Sequence, residues 1–201
     1  MSDITGQLAI GADAANRLFF AARTANEFSS EPVPDQTLAA LYETMKMGPT
    51  MMNSQPLRIT WIKSAEAREA VAATMKGSNA RKALEAPALA ALSFDPQWAE
   101  GFEFFFPHAA GSKAMFEDEA VSGAVGGNNA WLQAGYFIMA VRAAGLAAGP
   151  MASFKPADLD AVVNAQTGHR AFLLVAAGWP AGAPGSARLP RYGQEFATRS
   201  I

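Results

Sequence analysis

Apolar residues recur along this chain at two spacings, one typical of helices and one typical of strands. Helical spacing, often with a capping residue before it, predicts helices at 14–22, from Asp35 to a stop at Gly48-Pro49, and at 64–75, 79–84, 117–144 and 156–165. Runs rich in apolar and β-branched residues between turn signals predict strands at 57–63, 87–94 and 170–178, with a short extended piece within 147–154.

The segment 117–144 differs from the other predicted helices because it is apolar nearly all round. A helix without a polar face has to be buried on every side, so this one is predicted to lie in the core or against a second subunit. Gly145 follows it as the residue that commonly ends a helix. The aromatic-rich stretch 96–111 is predicted to mix helix and loop.

The first predicted helix, 14–22, carries a simpler pattern. Asp13 stands where a helix cap is expected. Leu18 and Phe19 are predicted to face a core, which would make this an ordinary amphipathic helix.

Composition restricts the class of protein. The chain has 201 residues, 50% of them hydrophobic, which predicts one domain over 1–201. A net charge of −2, with Lys and Arg scattered singly, argues against nucleic-acid and membrane partners. Cys is absent, which excludes disulfides and thiolate chemistry and is consistent with a cytoplasmic protein.

Several chemistries lack their signatures. His108 and His169 show no metal-ligand spacing, so we expect structural roles for both and no metal. No nucleophile elbow or P-loop is present. Gly123, Gly126 and Gly127 lie inside a helical pattern, which favours close helix packing over a dinucleotide fingerprint.

The residues that remain suit a flavin site, which needs phosphate ligands, amide contacts to the ring edge and a stacking wall. Five segments in order resemble motifs of the FMN-dependent nitroreductase family. They are 22–28 (ARTANEF), 47–56 (MGPTMMNSQP), 79–82 (NARK), 149–154 (GPMASF) and 187–191 (ARLPR). Within that family, the KMGPT run, Phe106-Pro107-His108, Gly-Pro-Met and the last segment are most similar to malonic semialdehyde reductases.

The resemblance implies a role for each matched residue. The candidate flavin ligands are Arg23, Thr24, Asn26, Pro49, Thr50, Asn53, Asn79, Lys82, Pro150, Met151, Ala152, Arg188 and Arg191. Arg23 and Arg188 would bind the FMN phosphate, with the Thr24 hydroxyl as a neutral donor. Lys82 would place positive charge near N1 and O2, and the backbone N–H of Ala152 would donate to N5.

Three further assignments belong to the same set. Asn79 would meet the pyrimidine edge of the ring. Thr50 and Asn53 would reach the flavin from the partner subunit, and Arg191 is a weaker phosphate or substrate candidate. Taken singly, Asn79 could instead cap a helix and Thr24 could close a turn.

The chain departs from the family pattern at three places. Asn26 stands where a Lys or Arg is expected, so one cation is missing near the ring or phosphate. Ser186 replaces a second basic residue that some members carry, and Ala152-Ser153 replaces Glu-Gly or Ser-Gly. FMN binding stays compatible with these changes.

The resemblance implies an α+β nitroreductase-like fold, with a central, mainly antiparallel sheet flanked by helices. It also implies an intertwined homodimer, with an arm at 180–201 crossing to the partner. The implied activity is ping-pong hydride transfer from NADH or NADPH through FMN to a small electron-poor substrate, such as malonic semialdehyde or a nitro compound. Two alternatives remain: a flavin-binding module without nicotinamide-driven turnover, and an apolar dimerising scaffold without cofactor.

Overall fold

A computed structural model describes residues 4–182 and 187–201 of the chain. Its α-helices are α1 (Ala12–Ala15), α2 (Asp35–Met45), α3 (Ala65–Ala73), α4 (Ser78–Glu85), α5 (Phe102–Phe105), α6 (Glu119–Ala143), α7 (Pro156–Val163) and α8 (Gln194–Ala197). Its strands are β1 (Leu57–Trp61), β2 (Ala88–Phe94), β3 (Ala147–Met151) and β4 (Arg170–Gly178). A π-helical turn covers Asn16–Phe20, and 3₁₀ turns cover Ile4–Gln7, Met51–Asn53, Trp98–Gly101 and Pro107–Phe116.

The four strands form one sheet in the order β1-β2-β4-β3, and every neighbouring pair is antiparallel. Ala90 of β2 lies opposite Trp61 on one side and Val175 on the other. The register shifts once, between Leu92 and Ser93. The predicted central antiparallel sheet flanked by helices is therefore confirmed.

Both faces of the sheet are covered, which explains why β2 and β4 are apolar except for Ser93 and Arg170. Successive side chains of a strand point to opposite faces. Ala90 and Leu92 thus pack with α2 and α6 on one side, while Leu89 and Ala91 pack with α3 and α7 on the other. Helices and sheet therefore form three layers, with the sheet in the middle.

Helix α6 follows its prediction over its length but is buried on one face. Asp118 caps it by accepting from the amides of Ala120 (2.8 Å) and Val121 (3.1 Å). Gly126 faces the sheet side so closely that a Cβ there would overlap Trp98. On the opposite face Val121, Trp131 and Leu132 are exposed. The chain alone therefore covers only half of this apolar helix.

The first helix differs from its prediction. Regular α-helix is limited to α1, and the amide of Ala21 bonds to the Asn16 carbonyl in a π turn. Asp13 does not cap it, and Ala15 alone is buried, whereas Phe19 is exposed. The predicted helix is present, but the expected cap at Asp13 and burial of Phe19 are wrong, and Leu18 is only half-buried. The end of this helix contacts arginines from distant parts of the chain, and local sequence patterns do not encode such contacts.

The remaining helices match their predictions within a few residues. Ser64 caps α3 by accepting from the Ala67 amide at 3.1 Å. The stretch that follows β2 folds into short turns around a separate aromatic cluster of Trp98, Phe102, Phe105 and Phe116. Among the described residues, no helix is both long and apolar enough to cross a membrane.

Candidate functional site

The segment 22–28 runs along the edge of the sheet, and this position defines the site. The amide of Ala25 donates to the Ala148 carbonyl of β3 at 2.9 Å, and the amide of Ser29 donates to the Trp179 carbonyl at 2.9 Å. Phe28 forms a bridge with Pro180. The first matched motif is therefore fixed to the start of β3 and the end of β4.

Arg23 and Arg188, separated by most of the chain, meet at the end of the first helix. Arg23 Nη1 donates to the carbonyls of Phe20 (3.1 Å), Ala21 (3.1 Å) and Ala22 (2.9 Å). Arg188 Nη2 donates to those of Phe19 (2.7 Å), Phe20 (2.8 Å) and Ala22 (3.0 Å). Two guanidinium groups thus share the Phe20 and Ala22 carbonyls of one chain.

Two more arginines, which the motifs did not indicate, lie in the same place. Arg142, in the last turn of α6, donates from Nη1 to the Leu18 carbonyl at 2.9 Å. Arg17, Arg23 and Arg142 line a cavity of about 590 Å³ between the first helix and the start of β3. We call Arg17, Arg23, Arg142 and Arg188 the arginine cluster.

No carboxylate among the described residues is bound to the arginine cluster, although Glu27 also lines the cavity. Within 4–182 and 187–201, none of its four members forms an ion pair. Desolvation lowers the pKa of Arg188, and the nearby charges of Arg23 and Arg191 lower it further. The Nε atoms of Arg23 and Arg142 are buried without a partner among the described residues. Such a set attracts an anion that can accept several charge-assisted hydrogen bonds.

Lys82 lies next to this segment, at the boundary of α4 and the sheet. Its side chain is buried, and its Nζ donates to Asn26 Oδ1 at 2.8 Å. Burial lowers the pKa of Lys82, and the charge of Arg81 adds to that effect. Asn26, the residue that replaces a cation, therefore holds the remaining one in position without neutralising it.

Gly149 makes this close approach possible. A Cβ at that position would lie 2.6 Å from the Ala25 carbonyl oxygen and 3.2 Å from Lys82 Cδ. A side chain there would push the 22–28 segment or Lys82 away from β3. This is a physical reason for the Gly in the Gly149-Pro150-Met151 motif.

The other candidates near the ring position follow the sheet and α4. Pro150 and Met151 lie in β3 opposite Val175 and Leu174. Ala152 follows directly and is exposed. Asn79 lies in the first turn of α4, and Gly77 occupies the cap position, so the alternative that Asn79 caps this helix is wrong.

Pro49, Thr50 and Asn53 do not join the arginine cluster and do not line its cavity. Their loop packs elsewhere: the Tyr136 hydroxyl donates to the Pro49 carbonyl at 2.9 Å, and Asn53 Nδ2 donates to the Phe105 carbonyl at 2.9 Å. The Thr50 hydroxyl donates to the Ser54 carbonyl at 2.6 Å. Within one chain, the predicted ligands therefore form two separate groups.

The loop also carries backbone strain. Met52 has φ of +52° and Asn53 has φ of +54°. Asparagine tolerates this left-handed region, but methionine rarely adopts it. Strained residues often occur where a functional surface is shaped, so the loop is a candidate second half of a site.

The remaining described candidates, Thr24 and Arg191, are exposed residues. Thr24 is exposed and lines the cavity. Arg191 donates to the carbonyls of Leu189 and Pro190, both at 3.0 Å, and turns back on its own segment. Ser186 lies outside the described residues.

The sequence carried a signal for one missed residue. Arg142 is the one Lys or Arg within the mostly apolar α6. A charge at the end of an apolar helix either reaches solvent or binds a partner, and here it reaches the helix end formed by residues 18–22. Arg17 had no such signal, because it lies in an exposed helix with an ordinary polar pattern.

Comparisons with known proteins show the family to which the chain belongs. The family model described as "Nitroreductase family" matches residues 21–179. A candidate NADH dehydrogenase/NAD(P)H nitroreductase of Streptomyces coelicolor is 41% identical over 94% of this chain and 94% of its own length. One of the same description from Caulobacter is 37% identical over 94% of this chain and 96% of its own.

Solved structures show the same fold. A candidate nitroreductase of Bacillus subtilis superimposes with a TM-score of 0.83 at 17% identity, over 92% of this chain and 98% of that one. A candidate nitroreductase of Exiguobacterium sibiricum, solved in complex with FMN, gives a TM-score of 0.78 at 15% identity, over 92% and 96%. The chain belongs to the nitroreductase family.

Proposed function

We propose that this chain is an FMN-dependent NAD(P)H oxidoreductase that passes hydride to a small electron-poor substrate. The observation that carries the proposal is that Arg23, which lines the cavity, and Arg188 converge on the same helix-end carbonyls while neither forms an ion pair within the described residues. Relatives named NAD(P)H nitroreductases and an FMN-bound structural neighbour support the choice of ligand.

The donor set fits the phosphate of FMN. A phosphate dianion accepts several short hydrogen bonds, and guanidinium groups match its geometry. Arg23 and Arg188 would bind it, the exposed Thr24 hydroxyl would add a neutral donor, and Arg191 is close enough to lower the pKa of Arg188. Arginines bound only to carbonyls retain donors for such an anion.

The residues next to the cluster fit the ring of the same cofactor. When bound, FMN supplies reversible hydride acceptance at its N5 atom. Lys82 would hold positive charge near the pyrimidine end, oriented by Asn26, and Asn79 would offer its amide to the same edge. Ala152, after β3 and its residues Pro150 and Met151, would present a backbone N–H.

We further propose that the site is completed in a homodimer of one-domain subunits, 1–201. Trp131 and Leu132 on the outer face of α6 provide an apolar contact surface. Leu189 and Tyr192 in the arm 180–201 are also exposed and would cross to the partner. Thr50 and Asn53, which face away from the arginine cluster in one chain, would then contribute to the partner's site.

Malonic semialdehyde, reduced to 3-hydroxypropanoate, is our first substrate candidate, and nitro compounds are the second. The four similarities to malonic semialdehyde reductases support the first. An aldehyde carbon would accept hydride and its oxygen a proton. We expect water to supply that proton.

The absorbance spectrum of the purified protein tests the proposal most directly. We expect a yellow protein, or one that becomes yellow with added FMN, whose absorbance bleaches anaerobically with NADH or NADPH. A protein that ignores FMN would overturn the proposal. One that binds FMN but resists excess nicotinamide would instead be a flavin-binding module.

A charge on the outer face of α6 tests the dimer. Trp131→Glu should convert a dimer into monomers in light scattering, because it introduces a charge into a contact that has to be desolvated. Val162→Glu, at an exposed apolar position of α7, is the matched control and should leave the mass unchanged. A wild-type monomer, or a Trp131→Glu dimer, would contradict the assembly.

A further inference from the structure

Arg142 has contacts that no matched motif explains. It reaches from the end of α6 to the Leu18 carbonyl, and its second polar contact is the weak one to the Met139 sulfur at 3.8 Å. Its Nε is buried with no partner in the described part of the chain. The side chain lines the same cavity as Arg23.

Capping the first helix does not account for a third guanidinium, the half-buried one of Arg142. Positive charge at a helix C-terminus is favourable, but Arg23 and Arg188 already bind the carbonyls of Phe19 to Ala22. Burial lowers the pKa of Arg142, and the charge of Arg188 lowers it further, so this cation is held at a free-energy cost. An anion in the cavity would offset that cost.

We propose that Arg142 is a third cationic ligand of the FMN phosphate and gives the site its preference for FMN over riboflavin. The inference rests on the proposed function and adds a residue to it. Arg142 contributes from α6 and lines the same cavity as residues of the segment 22–28. Three guanidinium groups from three separate parts of the chain then surround one phosphate, and Arg17 adds charge at the cavity wall.

Fluorescence titration with FMN and with riboflavin tests this role. Arg142→Gln should weaken FMN binding about thirtyfold, the effect of losing one charge-assisted hydrogen bond, and riboflavin binding less than about twofold. Arg68→Gln is the matched control, because Arg68 is a similarly half-buried arginine that binds only helix-end carbonyls. It should leave the ratio of the two affinities unchanged.

The outcomes distinguish failure of the proposed FMN phosphate site from failure of the role of Arg142. If the wild type binds FMN no more tightly than riboflavin, the proposed phosphate site and this inference both fail. If the wild type prefers FMN and Arg142→Gln keeps the full preference, the inference alone fails. If Arg142→Gln does not fold, Arg142→Lys replaces it, because it keeps the charge. Its FMN affinity should fall about threefold while its riboflavin affinity stays unchanged. Equal weakening of both affinities would overturn the role of Arg142.

Discussion

Two helix ends in this molecule are held by arginines, and they are held very differently. Arg68 alone serves the end of α4, where it donates to the carbonyls of Ala83 (3.3 Å), Leu84 (3.5 Å), Ala86 (2.6 Å) and Pro87 (3.3 Å). The end of the first helix has three arginines for a similar number of carbonyls. One guanidinium satisfies a helix end, so the additional ones indicate a second purpose.

The two ends also differ in their surroundings. Arg68 lies between α3 and the end of α4, away from the 590 Å³ cavity, whereas Arg23 and Arg142 line it. Burial lowers the pKa of Arg68 without help from another cation, while Arg142 is opposed by the charge of Arg188. Repulsion between neighbouring cations is expected where a protein binds an anion, and it has no function in a simple cap.

The largest expected effect comes from removing both arginines of the matched motifs. Arg23→Gln with Arg188→Gln should weaken FMN binding about a thousandfold, since each charge-assisted bond contributes about 2 kcal/mol. Fluorescence titration of the double variant measures this. The fold should survive, because Arg142 still binds the end of the first helix; circular dichroism is the control. Unchanged FMN affinity would mean that the arginine cluster only caps the first helix.

Arg68→Gln tests the helix end of α4, which is expected to have no role in binding FMN. Loss of its carbonyl contacts should lower the free energy of unfolding by roughly 1–2 kcal/mol, because several carbonyls lose a charged donor. Urea denaturation measures it. FMN affinity should change less than about twofold, and a larger change would mean that the two helix ends do not differ in function.

The contrast also shows what sequence reasoning could reach. The strands and most helices followed from periodicity and caps, because each depends on residues close in the chain. Arg23 and Lys82 followed from a family resemblance. The details of the first helix did not, because its end contacts Arg142 and Arg188, which come from distant parts of the chain. Local patterns carry no information about such contacts.

Asn26, which stands where the family has a Lys or Arg, is a second feature that sequence reasoning could not explain. The sequence showed a missing cation and could not show what replaced it. The structure shows that the amide oxygen binds Lys82, whose burial a neighbouring cation would have made more costly. Asn26 thus changes how one charge is held and keeps that charge in place. The effect of this departure from the motif becomes clear only from the contact between α4 and the segment 22–28.

Lys82 joins the two regions, since it belongs to α4 and bonds to the segment that follows the first helix. Lys82→Met should lower the reduction potential of bound FMN by roughly 30 mV, a tenfold change for a two-electron couple, because the reduced ring loses a nearby positive charge. A dye-coupled anaerobic titration measures this. Asn26→Ala is the comparison, and it should produce a smaller change of the same sign by releasing Lys82.

The same variant has a defined pH signature in the cofactor-free protein. The pKa of Lys82 is lowered from 10.5, so between the lowered value and 10.5 the unfolded chain binds more protons than the folded one. Wild-type stability should therefore gain a contribution from Lys82 as the pH rises through that window, and Lys82→Met should lack it. At pH 7 the variant should be at least as stable as the wild type, because a buried charge has been replaced by an apolar side chain of similar length. Urea unfolding at pH 7 and pH 10 tests both statements, and a variant that is less stable at pH 7 would show that the bond to Asn26 outweighs the desolvation of the ammonium group.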